Sequence, residues 1–287
     1  MIASKAEMVR AGNPGRFAVR TCSVIAALLM WSAPGRSAGA FDHGFASYGE
    51  LLQSVVRGPL VDYAALKAGR DRLDSVVATL AAPRRSEEQT WSREQRMAFW
   101  INAYNALTLR AIVDHYPIRA GLFTLSPRNS IRQIDGVWSK LTWTVAGRSV
   151  TLDDIEHRIL RPTFKDARVH FAVNCASVSC PPLAADPYRA ETLNASLDAA
   201  ARRYLGSAEG LRVDGNTVSV SSIFKWYGED FVSQYASFGP QRSDARERAI
   251  LGVITKFGPA DAAVLTRMPM PRIRYLDYNW SLNDVGR

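Results

Sequence analysis

The chain has 287 residues, 47% hydrophobic and 22% charged, with three cysteines and a formal net charge of +9. That composition supports a packed core and excludes disordered, collagen-like and disulfide-dense classes. The charge does not point to nucleic acid: residues 1–40 carry five basic residues and one acid, leaving +5 beyond them. The remaining basic residues are dispersed in doublets such as Arg84-Arg85 and Arg202-Arg203, with no aromatic-interleaved stripe.

At the N-terminus Lys5, Arg10, Arg16 and Arg20 precede an apolar run from Cys22 to Trp31, and the small residues Ala38-Gly39-Ala40 follow. This is the order of a secretory signal, and the run is shorter than the roughly 20 residues a membrane span needs. Cys22 opens the run rather than following it, which argues against lipid modification. Residues 1–40 are thus expected to be a signal peptide and residues 41–287 a single periplasmic or secreted domain without a transmembrane segment. Its expected ligand is a small molecule or envelope polymer; nucleic acid, metal and cofactor are not expected. Within the domain, Pro83-Arg84-Arg85-Ser86-Glu87-Glu88 reads as a loop between helices.

Arg93–His115 is apolar nearly all round and ends before Pro117, the pattern of a helix buried on every side. Asn102 and Asn105 share one of its faces, so each amide must satisfy a neighbouring backbone or line a polar pocket. Leu141-Thr-Trp143-Thr-Val145, the turn Ala146-Gly147-Arg148 and Ser149-Val150 read as a hairpin. Thr151 then caps a helix with Asp153 and Asp154 in its first turn. A 3.6-residue period turns Leu152, Ile155 and Ile159 inward, places Glu156 at the border and points His157 away.

Arg168–Val173 reads as a short strand that puts His170 and Asn174 on one face and leads into Cys175-Ala-Ser-Val-Ser-Cys180. If extended, the five residues from His170 to Cys175 span about 16–17 Å, so a local contact is excluded; a turn over residues 176–179 would bring Cys180 back. In an oxidising compartment the C-x4-C pair reads as a disulfide, stabilising by roughly 2 kcal/mol in the chain-entropy model. The alternative is a reactive thiol pair, or one thiol acting as nucleophile with His170 as base. A zinc site on His170, Cys175 and Cys180 lacks a fourth ligand. A helix over Glu191–Leu205, a hairpin across Asp214-Gly215-Asn216, helices around Ser222–Tyr235 and Ser243–Phe257, and a strand at Arg272–Leu276 complete the chain.

Phe99-Trp-Ile-Asn-Ala-Tyr-Asn105, Leu152-Asp-Asp-Ile-Glu-His157, the stretch Arg168 to Pro181 and the closing Tyr275-Leu-Asp-Tyr-Asn-Trp-Ser-Leu-Asn283 resemble the family called domain of unknown function 547. Lys225-Trp226-Tyr227 with Asp230-Phe231 agrees with a fifth block, so the resemblance spans nearly all of residues 41–287. It implies an exported bacterial member of a group without an assigned activity; Asn279 stands where an aspartate is expected.

The fold expected is α+β: one helix-rich domain with a small, mostly antiparallel sheet carrying the His170 strand. Two functional readings stand. In the first, a thiol-dependent hydrolase or transferase of permuted papain- or transglutaminase-like layout uses Cys175 or Cys180 as nucleophile and His170 as base. Asn102 or Asn105 would orient the base or hold the oxyanion, with Glu156 nearby. No histidine follows Cys180, so the usual papain order of cysteine then histidine does not apply. In the second, a non-catalytic module uses its disulfide to stiffen a ligand- or partner-binding loop.

Overall fold

The computed structural model describes residues 40–119, 126–240, 244–265 and 271–286. The expected signal peptide, apart from Ala40, lies outside them. Helices α1 (Ala46–Val55), α2 (Tyr63–Ala68) and α3 (Arg70–Ala81), with the two-residue strands β1 (Val56–Arg57) and β2 (Leu60–Val61), surround a central helix. A one-turn helix α4 (Arg85–Glu88) precedes it, where a loop was expected. The reason is Glu88, which is fully buried and accepts hydrogen bonds from Arg96 Nε (3.0 Å), Trp100 Nε1 (3.0 Å) and Arg148 Nη2 (2.5 Å). Burying that carboxylate against two guanidinium groups requires a fixed backbone.

The central helix α5 (Arg93–His115) starts at a reciprocal capping box between Ser92 and Gln95, and every residue from Met97 to Leu109 is buried. Fully covered Phe99 and Trp100 each contribute on the order of 1.5–3 kcal/mol by burial, so truncating either to alanine would cost about 3–5 kcal/mol. The expected hairpin forms, β3 (Trp143–Val145) pairing with β4 (Arg148–Val150), but Arg148, expected in the turn, opens β4 opposite Val145. Its turn places both Ala146 (φ 46°) and Gly147 (φ 67°) in the left-handed region, as a two-residue hairpin turn requires.

After a second helical segment over Asp154–Phe164 and a 3₁₀ turn at Ala167–Phe171, α6 (Leu193–Leu205) leads to a three-stranded sheet. In it β5 (Leu211–Asp214) pairs antiparallel with β6 (Thr217–Val220), and β6 pairs parallel with β7 (Arg272–Tyr275). Between β6 and β7 run α7 (Ile223–Trp226), α8 (Gly228–Tyr235), α9 (Ala245–Phe257) and α10 (Ala260–Leu265). The fold is thus α+β, helix-rich, with small and mostly antiparallel sheets. Its apolar side chains form two clusters, one around α5 and one around α6, α8 and α9.

The expected His170 strand is not there. Ala167–Phe171 is a 3₁₀ turn because Asp166 caps it, accepting from the Arg168 backbone N–H (3.1 Å) and gripping the Arg168 guanidinium, which also reaches Asp198. Packing agrees: Ala167 and Phe171 enter one cluster and Val169 the other. A chain buried on several sides gains nothing from two-face alternation.

Candidate functional site

The seam between the two clusters opens into a cavity of about 460 Å³. Four elements build it. The helix over Asp154–Phe164 is of π type, with wider turns than the expected 3.6 residues, and turns of this kind recur at functional sites. Thr151 and Asp154 cap it reciprocally: Asp154 Oδ2 accepts from the Thr151 N–H and hydroxyl, and Thr151 Oγ1 accepts from the Asp154 N–H. The wider turn buries Leu160 in place of Ile159 and carries Glu156 fully inward to 7% exposure, rather than leaving it at the border. His157 is exposed yet still reaches the cavity mouth.

The 3₁₀ turn presents His170, 2% exposed. Its Nε2 lies 2.7 Å from Asp230 Oδ2, and its ring stacks on Tyr227 at 4.2 Å between centroids. Asp230, in the first turn of α8, also accepts two hydrogen bonds from Arg161, at 2.6 and 3.0 Å. Burial opposes ionisation of Asp230, but the bonds from His170 and Arg161 outweigh it and hold the acid far below the usual carboxylate range. An ionised Asp230 can only accept, so His170 Nε2 carries the proton in this hydrogen bond. Nδ1 faces Glu156 Oε1 at 4.0 Å, beyond hydrogen-bond distance.

The cysteine loop follows at once. Asn105 donates to the Ala172 carbonyl (3.0 Å) and accepts from the Asn174 N–H (2.8 Å). Asn174 in turn donates to the Pro181 carbonyl (2.8 Å) and accepts from the Ala176 N–H (2.9 Å). This relay holds Ala176 in the left-handed region at φ 57°, a conformation costly for a residue with a Cβ. The sharp corner brings both sulfurs to one place: Cys175 and Cys180 are free thiols with Sγ atoms 2.8 Å apart. The closing segment straps the loop from outside through Val178 N–H to Ser281 O (2.9 Å) and Ser179 N–H to Asn279 O (3.2 Å). Asn279 Oδ1 accepts from the Ser281 N–H (3.0 Å), which a carboxylate would do equally.

The two thiols differ. Burial raises the pKa of Cys175, but its hydrogen-bond contacts with Cys180, Ser177 and Tyr278 outweigh it and bring the thiol below its ordinary value. Burial pushes Cys180 well up, and its interaction with Cys175 adds to that. Tyr278, itself raised by burial and by Cys175, is a neutral donor. Cys175 is also the more exposed sulfur-bearing residue.

His170, Glu156, Cys175 and Cys180 therefore meet on one cavity. Asn102 and Asn105 do not line it. Both amides are used on backbone: Asn102 donates to Tyr188 O (2.8 Å) and accepts from Tyr188 N–H (3.0 Å), as Asn105 does at Ala172 and Asn174. Neither bonds to His170; its partner is Asp230, which the sequence reading left without a role. Trp138, Trp226, Tyr227, Tyr278 and Trp280 also line the cavity. Trp226-Tyr227 and Tyr278-Asn-Trp280 stood out in the sequence only as parts of the family-like blocks, and Trp138 gave no signal. Among the described residues no three His, Cys, Asp or Glu side chains converge as metal ligands. No helix among them is long and apolar enough to cross a membrane.

Residues 88–205 match the family model described as "Protein of unknown function, DUF547". Glu156, His170, Cys175 and Cys180 fall within that stretch, whereas Asp230 and Trp226, Tyr227, Tyr278 and Trp280 lie beyond it. No curated protein and no solved structure matches the chain.

Proposed function

We propose, for a chain that belongs to the DUF547 family, that the cavity is the site of a thiol-dependent acyl hydrolase or transferase with Cys175 as nucleophile. One observation carries the reading: the more exposed of two adjacent free thiols, with its pKa drawn down, shares a cavity with a histidine whose Nε2 is fixed by an ionised aspartate. His170 Nδ1 takes the Cys175 proton as the sulfur bonds to the substrate carbonyl carbon, and the leaving group departs with that proton. Water or a second nucleophile then attacks the thioester, gives its proton to His170, and Cys175 leaves. Cys180 Sγ accepts from the Cys175 backbone N–H and lies 2.8 Å from the Cys175 sulfur, which holds the two thiols side by side. The chain is exported through residues 1–40 and works in the periplasm or outside the cell; N-terminal sequencing of secreted protein that still begins at Met1 would exclude this.

The catalytic reading is tested by incubating the reduced protein with activated acyl esters and locating the adduct by mass spectrometry. The expected result is an acyl group on Cys175, absent in Cys175→Ser and formed more slowly in His170→Ala that retains its circular dichroism. A Cys175 that stays unmodified, or an adduct confined to Cys180, overturns it. A non-catalytic binding module is the second reading, favoured by one feature: with Asn102 and Asn105 both spent on backbone, no side-chain amide lines the cavity as an oxyanion donor.

A further inference from the structure

The cavity has an electrostatic character opposite to that of the chain. The whole sequence is +9, yet among the described lining residues there is no lysine or arginine, and the acids are Asp153 and Glu156. Their nearest basic neighbours are histidines: His157 Nε2 is 3.7 Å from Asp153, and His170 Nδ1 is 4.0 Å from Glu156. Arg161, the guanidinium closest to this acidic pair through its interaction with Glu156, is committed to Asp230. Arg158 is turned onto Asp154.

Beside the two acids stands an aromatic wall. Trp226 and Trp280 stack at 5.8 Å, Tyr278 packs against both at 4.8 and 4.6 Å, and Trp138 meets Trp280 edge-on at 6.0 Å. Trp226 remains 45% exposed, a large apolar surface that no neighbour covers. One backbone hydrogen bond ties Asp153 to the wall, the Asp153 N–H donating to the Trp138 carbonyl at 2.9 Å. The rings of this region already attract cations: Arg132 sits 5.1 Å over Trp280 and Arg161 5.1 Å over Tyr227. Electron-rich ring faces next to carboxylates, with no resident lysine or arginine in the lining, favour a cationic ligand over an anionic or neutral one.

We infer that this wall, with Asp153 and Glu156, forms a subsite for an ammonium group, primary or quaternary, on the molecule that the cavity accepts. The inference rests on the cavity being a ligand site but does not require Cys175 to react. A sugar could stack on the same tryptophans, but its binding would not depend on charge.

The test is tryptophan fluorescence of the reduced full chain titrated with choline, with the neutral carbon isostere of choline, and with an N-acetylglucosamine oligomer. Choline is expected to quench saturably and to bind about tenfold more tightly than its isostere, the size of a desolvated cation–π contact. Trp226→Ala and Asp153→Asn should each weaken choline several-fold and leave the isostere nearly unchanged. Equal affinity for choline and isostere, preference for the oligosaccharide, or absence of saturable choline binding overturns the inference. The isostere comparison needs no variant, so it decides even if a variant misfolds. Repeating it in Cys175→Ser separates the two proposals: charge-selective binding with no acyl adduct in the wild type defeats the catalytic reading alone.

Discussion

Asp230→Asn isolates the charge that holds His170 and Arg161 in place. The carboxylate accepts three hydrogen bonds, from His170 Nε2 at 2.7 Å and from Arg161 at 2.6 and 3.0 Å. An amide keeps the shape but offers one acceptor and turns its NH₂ toward one of the two donors. Hydrogen bonds to charged groups are worth roughly 1.5–3 kcal/mol each, and Asp230, with its side chain 26% exposed, realises only part of that, so the substitution should cost about 3 kcal/mol. For a domain of this size that is a fall in Tm of about 6–12 °C. The pH dependence has a fixed sign. Folding lowers the Asp230 pKa, so its contribution is complete above the unfolded value of about 3.9 and is lost as the pH falls through the folded one. Urea unfolding should show a constant gap between wild type and variant from about pH 8 to 5, narrowing below about pH 4. A gap under about 1 kcal/mol at neutral pH, or one as wide at pH 3 as at pH 7, would refute the account of Asp230 as an ionised clamp.

Other expectations concern the loop. Cys175 should be alkylated by iodoacetamide before Cys180, with a rate that reaches its plateau at a lower pH than an ordinary thiol; Cys180→Ala removes the neighbouring thiol contact and should shift that inflection upward. With the sulfurs 2.8 Å apart, a mild oxidant should lower the thiol titre of the pair from two to none within one chain, without dimers on a non-reducing gel. Asn105→Ala leaves the Ala172 carbonyl and Asn174 N–H buried and unpaired, and should lose about 2–4 kcal/mol and slow Cys175 alkylation. Asn102→Ala, which frees only Tyr188, should lose similar stability in a denaturation curve but leave the alkylation rate unchanged.

What the sequence determined by itself was local. The all-apolar pattern of Arg93–His115, stopped by Pro117, yields α5 to the residue, and the structure adds the Ser92 capping box at its start. Gly147 and Gly215 set their hairpin turns through a left-handed backbone conformation that glycine adopts without cost. His170, Glu156, Cys175 and Cys180 were also legible, because side chains of that chemistry are few and close in sequence. The rest depended on partners far along the chain. Arg168–Val173 looks like a strand by alternation, but Asp166 and Asp198 bind Arg168 and wind it into a 3₁₀ turn, which sets where His170 points. Glu156 looks like a border residue at 3.6 per turn and is carried inside by π-type winding, a period that apolar spacing alone does not reveal. Asp230 lies 60 residues from His170, and Tyr278 103 from Cys175. Pairings at such separation are fixed only when both hydrophobic clusters close and their seam becomes the cavity, so tertiary structure alone chose the acid that bonds His170 and the hydroxyl that meets the Cys175 sulfur.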